Sequence, residues 1–388
     1  MLPPMPCLFL LDGTALAYRA HFALARSGLT TTTGKPTGAV YGFTTTLRRI
    51  LEVEKPDLIA VALDPKGPTF RHRLYEPYKA TREKAPEEMI AQLDDIREVV
   101  RAHGIPLYEV AGFEADDVIG TLATQAEARG FEVKIVTGDK DLMQLVSDKV
   151  TLYNVFKPKV DLLIEGVAEV REKFGTDPAH VVDVLAIMGD ASDNVPGVHG
   201  IGEKGAMKLI GEFGTVANLL AHLDQVKGKA RELIERDREQ MLLSLRLVTI
   251  DCKVPLDPSV EGLRPPEPDP GALITLFRRL DFQSLAKKVA ETSTIQSTAL
   301  ERDYHTVRTA AELAAMLAEL RAAGAFAVDT ETTGLFPLQA ELVGVSFSAR
   351  AGRAFYVPFN ADPALLPGGR QALLEALRPI LTEARLFR

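Results

Sequence analysis

Acidic residues recur in this sequence where apolar runs end. Asp12 closes the run Cys7–Leu11, and Asp64 follows Leu58–Leu63. FEADD, after Pro106–Val110, supplies Glu114, Asp116 and Asp117. TGDKD, after Glu132–Val136, supplies Asp139 and Asp141, and the later GDASDN supplies Asp190 and Asp193. If the runs are parallel strands, their acids converge on one sheet edge. Carboxylates gathered there repel one another unless cations neutralise them. Oxygen-only ligation, without His or Cys at ligand spacing, favours Mg²⁺ or Mn²⁺. Two such ions about 3.5–4 Å apart activate a water and stabilise the leaving oxygen of a phosphodiester. Taken singly, Asp12, Asp139 or Asp141 also reads as a helix cap. Capping explains the set poorly, because Glu114, Asp116 and Asp117 crowd one helix start.

Two further segments suit a phosphate backbone. PKGPTFRHRLYEPYKATREKAP follows Asp64 directly. It interleaves Lys66, Arg71, Arg73, Lys79, Arg82 and Lys84 with Phe70, Tyr75 and Tyr78. Bases stack on aromatic rings and phosphates pair with cations, so the pattern fits nucleic acid as well as a solvated face. NVPGVHGIGEKGAMKLI places Gly197, Gly200 and Gly202 in a tight turn before a helix start near Glu203, with Lys204 and Lys208 following. Backbone N–H groups at such a start bind phosphate without reading sequence. A β-branched residue at 202 is expected to resist the positive φ of such a turn. The plain alternative is an ordinary corner between two helices.

Behind these residues the first half alternates strands with helices at Ala15–Ala25, Gly38–Glu52, Glu87–Ala102 and Ala115–Arg129. Another strand is expected at Val150–Val155. Continuous apolar strands between helices indicate a parallel α/β sheet, which places ligands at the carboxyl ends of its strands. From Glu165 to Arg246 the pattern is helical with short glycine turns. Leu256–Pro270 is too rich in proline for a regular element. A helical stretch spans Leu273–Val289, and Glu291–Thr298 is polar enough for a linker. A new alternation follows: helix Ala310–Ala323, strands Ala325–Asp329, Leu342–Phe347 and Ala354–Val357, and helix Arg370–Leu381.

The 388 residues are 46% hydrophobic and 25% charged, with 45 basic and 53 acidic residues and a net charge of −8. These proportions suit two or three domains and exclude collagen-like, disordered and disulfide-scaffold chains. No apolar run approaches the ~18 residues of a membrane span, and the N-terminal run reads as a strand and not a signal peptide. The two cysteines, Cys7 and Cys252, form no framework, so a reducing cytoplasm is the default. Net acidity argues only weakly against nucleic acid, since the acids concentrate in one site.

In the order LLDG, FRH, YK, FEADD, TGDKD, GDASDN and PGVHGIGEK, residues 6–290 closely resemble the 5′-nuclease domain of the bacterial DNA polymerase I family. That domain belongs to the flap endonuclease superfamily. FAVDTETTGL, with Asp329 and Glu331, resembles the first motif of the 3′–5′ exonuclease domain of the same polymerases. The resemblance implies a parallel-sheet, PIN-like core over 1–165 with a helical arch. A helix-hairpin-helix DNA-binding subdomain over 166–292 and a linker over 293–300 would follow. Residues 301–388 would be a partial RNase H-like domain, and the chain a fragment.

The resemblance also implies roles. Asp12, Asp64, Glu114 and Asp116 would hold a first Mg²⁺ or Mn²⁺. Asp139, Asp141 and Asp193 would hold or approach a second, with Asp117 and Asp190 supporting through waters. Lys79 and Arg82 would contact the scissile phosphate, with Tyr78 near an unpaired base and Arg71 on the DNA. Gly197, Gly200, Gly202 and Lys204 would hold the duplex backbone, with K⁺ at the hairpin. Substrates would be DNA with 5′ flaps or nicks and RNA primer–DNA hybrids. The protein would be a bacterial, nucleoid-associated monomer with no membrane partner. Asp329 and Glu331 would form an incomplete second site with no 3′–5′ exonuclease activity. A PIN-class ribonuclease and a non-catalytic DNA-binding scaffold are the alternatives. The first usually lacks both the basic segment and the glycine hairpin, and the second would have lost acids that are present here.

Overall fold

The first apolar run is strand β1 (Cys7–Asp12), and its alternation serves two cores at once. Leu8 and Leu10 belong to one buried cluster, Phe9 and Leu11 to another. A strand buried on both faces must be apolar throughout, which is why the run is continuous. β1 pairs in parallel with β2 (Leu58–Ala62) and β4 (Glu132–Val136). β3 (Leu107–Tyr108) lies beside β2 and β5 (Val150–Asn154) beside β4, again parallel. A short β6 (Leu163–Glu165) closes the sheet antiparallel to β5 and departs from the all-parallel expectation. The strand order is β3-β2-β1-β4-β5-β6. The chain reverses direction across the sheet between β1 and β4, so their carboxyl ends flank a crevice.

The computed structural model describes residues 5–155, 163–292, 303–334, 340–350, 352–359 and 369–382. These divide into two compact units, Met1–Ser293 and Thr294–Arg388. The expected linker at 293–300 lies outside the described residues.

In the first unit, α1 (Gly13–Leu24) and α2 (Gly38–Arg49) cover one sheet face. The basic segment after β2 holds a five-residue helix, α3 (Phe70–Leu74), and a run of turns in place of a long helical arch. The helix expected over Glu87–Ala102 breaks into α4 (Glu87–Ile90) and α5 (Leu93–Ala102). α6 (Ala115–Ala128) covers the other face. α7 (Val167–Phe174), α8 (Val181–Met188), α9 (Glu203–Phe213), α10 (Val216–Ala221), α11 (Lys229–Arg236) and α12 (Arg238–Val248) continue that core. The stretch expected as one helix at Leu273–Val289 is two, α13 (Pro270–Arg279) and α14 (Gln283–Thr292). Asp269 opens α13 by accepting the Ala272 N–H at 2.9 Å. Asp281, in the left-handed region at φ 59°, turns the chain between them. Leu276, Phe277 and Phe282 bury this pair against the α1/α2 side of the sheet.

The second unit has β7 (Asp303–Thr306), α15 (Ala310–Ala323), β8 (Ala327–Thr332), β9 (Leu342–Arg350), β10 (Arg353–Pro358) and α16 (Gly369–Thr382). Its sheet order is β7-β10-β9-β8, with only β7–β10 parallel. β7 has no apolar signature; three of its four residues are exposed, which hid it from periodicity. Among the described residues, no helix is long and apolar enough to cross a membrane.

Candidate active site

The strand-end acids meet where the topology places them. Asp12 ends β1 and caps α1, one carboxylate oxygen accepting the Ala15 N–H at 2.9 Å. Its other oxygen accepts from the Thr137 hydroxyl at 3.0 Å, just past β4. Asp64, past β2, accepts the Ala115 N–H at the start of α6 at 3.0 Å. Asp139 accepts the Asp141 N–H at 2.9 Å. The capping reading is therefore correct for Asp12, and it occupies only one oxygen.

Electrostatics mark the inner group. Burial, with Asp64 and Asp139 nearby, raises the Asp12 carboxyl to about 7. Burial and then the charges of Asp139 and Asp190 raise Asp141 to about 8. Burial, Asp139 and Asp12 hold Asp116 well above the carboxylate range. Five acids at one sheet edge thus resist sharing their charge. One oxygen of Asp141 is buried without any hydrogen-bond partner, a costly state for a lone pair. An oxygen-only donor set with an unsatisfied buried oxygen and mutual repulsion fits a hard divalent cation.

Basic groups hold the outer acids. Lys79 Nζ sits 2.8 Å from Glu114 and 3.8 Å from Asp193. Arg82 pairs with Asp193. Burial disfavours the Lys79 charge, but Glu114 and Asp193 outweigh it and raise the ammonium. Lys140, which the sequence reading passed over inside TGDKD, lies 2.7 Å from Asp190. Burial opposes ionisation of Asp190, yet Lys140 and the N–H groups of Ser192 and Asp193 bring its carboxyl below the usual range. As the side chains stand, no group of three acids among the described residues is arranged to hold a metal ion. Arg71, Lys79, Arg82 and Lys140 take the neutralising positions around them.

Three of the expected site residues lie inside the protein. Arg71 does not face solvent. It is 2% exposed and forks onto both oxygens of Asp117, each at 2.8 Å. Its remaining N–H groups go to the Leu247 and Thr249 carbonyls. Asp117 is fully buried, and it also accepts the Glu114 and Asp251 N–H groups. Tyr78 is 4% exposed, with its hydroxyl 3.1 Å from Glu114 and 3.0 Å from Asp193. Arg71 and Tyr78 thus satisfy the buried acids Asp117, Glu114 and Asp193.

Asn194 is a second omission. Its φ is 55°, and its side-chain amide donates to the Pro77 carbonyl at 2.7 Å. Together with the Lys79 N–H on the Asp193 carbonyl at 2.9 Å, it staples the basic turn to the loop after α8. Its only signal in the sequence is its place at the end of GDASDN.

The glycine hairpin is anchored from behind. Gly197 N–H donates to the Ser244 hydroxyl at 3.0 Å, and Gln240 donates to the Gly197 carbonyl at 2.7 Å. Gly197 at φ 62° and Gly200 at φ 96° need their freedom; a Cβ on Gly197 would lie 2.4 Å from the Gly189 nitrogen. Gly202 does not. It lies in extended backbone before α9, with open space where a Cβ would be, so the expected positive φ there is wrong. Lys204 and Lys208 are exposed on α9. In the second unit, Asp329 and Glu331 lie exposed on β8, facing Ser346 and Gly344 of β9 in register.

Comparison with known proteins decides the family. Residues 7–175 match the model of the 5′–3′ exonuclease N-terminal resolvase-like domain, and residues 176–271 match its C-terminal SAM fold. The chain belongs to the 5′–3′ exonuclease family. Residues 304–386 match a 3′–5′ exonuclease model. DNA polymerase I of Pseudomonas aeruginosa is 42% identical to this chain over 97% of the chain and 43% of the relative. DNA polymerase I of Bacillus subtilis is 44% identical over 74% of the chain and 32% of the relative. The chain thus spans less than half the length of these relatives. A zinc-bound T5 5′-exonuclease superposes with a TM-score of 0.55 at 22% identity, covering 74% of this chain and 98% of its own. The catalytic core of Rad2 with a DNA substrate gives 0.51 at 15%, covering 74% and 92%. These two likenesses concern the fold.

Proposed function

We propose that the first unit hydrolyses phosphodiesters at 5′ flaps, nicks and RNA primer–DNA junctions, using two Mg²⁺ or Mn²⁺ ions. The observation that carries this is the convergence of Asp12, Asp64, Asp116, Asp139 and Asp141 at one sheet edge, with a buried oxygen of Asp141 unpartnered. Those five acids are the ligands we assign, with Glu114 and Asp193 completing the shell on release from Lys79 and Arg82. A pair of such ions supplies an activated water and neutralises charge on the leaving 3′ oxygen.

The chain's own residues do the rest. Lys79 and Arg82 exchange their carboxylate partners for the scissile phosphate and stay where transition-state charge develops. Asn194 keeps that turn in register with Asp193. The helix start at Glu203, with Lys204, holds a duplex phosphate without reading bases. K⁺ at the hairpin, a monomeric state and a bacterial cytoplasmic, nucleoid-associated setting belong to the same reading, as does the division into 1–165 and 166–292. Asp329 and Glu331, exposed on β8, take no part in this 5′ reaction.

The support from relatives is that one structural neighbour is described with divalent zinc and another with a DNA substrate. The test is cleavage of 5′-labelled flap, nicked and single-stranded DNA with and without Mg²⁺. Junction-dependent cleavage supports the reading. Equal degradation of all three, or none, refutes it.

A further inference from the structure

Helix α3 divides its cations between two sides. Arg71 turns inward to Asp117, while Arg73 is exposed and borders an open groove of about 860 Å³. The opposite wall is the end of α12 and the segment after it, where Arg246 and Lys253 are exposed. Phe70, Ile250 and Cys252 supply apolar lining between them. Among the described residues, none of Arg73, Arg246 and Lys253 forms an ion pair, and Asp251 is the sole acid in the lining. In a chain of net charge −8, three unpaired cations over an apolar lining reverse the local balance.

This groove is wired to the carboxylate cluster. Arg71 binds the Leu247 and Thr249 carbonyls of its far wall at 2.7 and 2.9 Å, and Asp117 accepts the Asp251 N–H at 2.9 Å. Arg73 lies on the same segment as Lys79 and Arg82. Arg73 therefore extends the run of cations on that segment to the groove. Phe70 is half-buried, with the Arg71 guanidinium 4.5 Å from its ring centroid, and it remains part of the lining. A duplex keeps its bases stacked inside; a single strand offers both charge and bases to such a surface.

Resting on the 5′-nuclease reading, we propose that this groove holds the single-stranded 5′ tail of the substrate. Phosphates lie against Arg73, Arg246 and Lys253, and a base lies against Phe70. The site therefore grades substrates by tail length.

The test is the double variant Arg246→Glu/Lys253→Glu, whose positions are exposed and outside the cluster of acids. Affinity in Ca²⁺ and single-turnover cleavage in Mg²⁺ are measured on a nick, a one-nucleotide flap and a flap of about fifteen nucleotides. The long flap should lose roughly tenfold in affinity, with its salt slope shallower by about 0.7 per lost single-strand phosphate contact. The nick and the short flap should be unchanged. Wild-type binding of the long flap, or equal losses on all three, overturns the groove. In the first case persisting cleavage leaves the nuclease reading intact. The binding measurement reads the groove even if no substrate is cleaved.

Discussion

Arg71 lays its guanidinium fork on both oxygens of Asp117, at 2.8 Å each, inside the protein and not on its surface. The pair also ties three strands of backbone together, through the Leu247 and Thr249 carbonyls and the N–H groups of Glu114 and Asp251. It therefore fixes the start of α6, from which Glu114 and Asp116 enter the site. Removing one member leaves the other charged and unpaired in the core. Arg71→Ala should destabilise the first unit by about 3–5 kcal/mol, read as a lower midpoint in urea. A DNA-contact role would instead weaken binding and leave the midpoint unchanged.

Asp139→Ala should abolish turnover while leaving duplex affinity in Ca²⁺ near wild type. Asp139 is the charge nearest in effect to both Asp116 and Asp141. In the proposed reading, duplex grip resides in the hairpin and α9. Parallel gel-shift and turnover measurements check this, and equal loss of both would make Asp139 structural.

Lys79→Ala should slow single-turnover cleavage about 10²–10³-fold, the usual cost of one well-placed donor to developing charge. Affinity should change far less, since one phosphate contact is one of many. An unchanged rate would leave Lys79 as the partner of Glu114 only.

The metal-free protein should lose stability as pH rises. Asp12 and Asp141 have folded values near 7 and 8, against about 3.9 in an unfolded chain. Between those limits the folded state holds the proton and the unfolded state does not. The stabilisation is complete below about pH 4 and disappears as pH climbs through 7–8. With chelator, Tm should fall by several degrees from pH 5 to 8.5. Mg²⁺ should restore more at pH 8.5 than at pH 5, because cations compete with protons for the same oxygens. A flat Tm in chelator would show that these acids do not repel.

The inner acids were legible because each follows an apolar run that had to be a buried strand, and parallel strands bring their ends together. β4 falls at Glu132–Val136 as expected, and α15 at Ala310–Ala323. Burial was not legible in the basic segment. FRHRLYEPYK carries the composition of a nucleic-acid surface, yet Arg71 and Tyr78 point inward because buried Asp117, Glu114 and Asp193 need partners. No local pattern distinguishes a cation awaiting phosphate from one already paired 46 residues away. β6 and β7 were missed for a related reason, since edge strands need little apolar sequence. Gly202 was misread because adjacent glycines suggest a common role, while only Gly197 and Gly200 adopt positive φ.

Single-turnover cleavage of a 5′-labelled flap shows whether the strand-end carboxylates act through divalent cations. In Mg²⁺ cleavage is expected at or near the junction, leaving 5′-phosphate and 3′-hydroxyl ends, because water attacks and the 3′ oxygen departs. In excess EDTA none is expected, with activity restored by added Mg²⁺. Undiminished cleavage in EDTA would mean that the carboxylates act without a divalent ion.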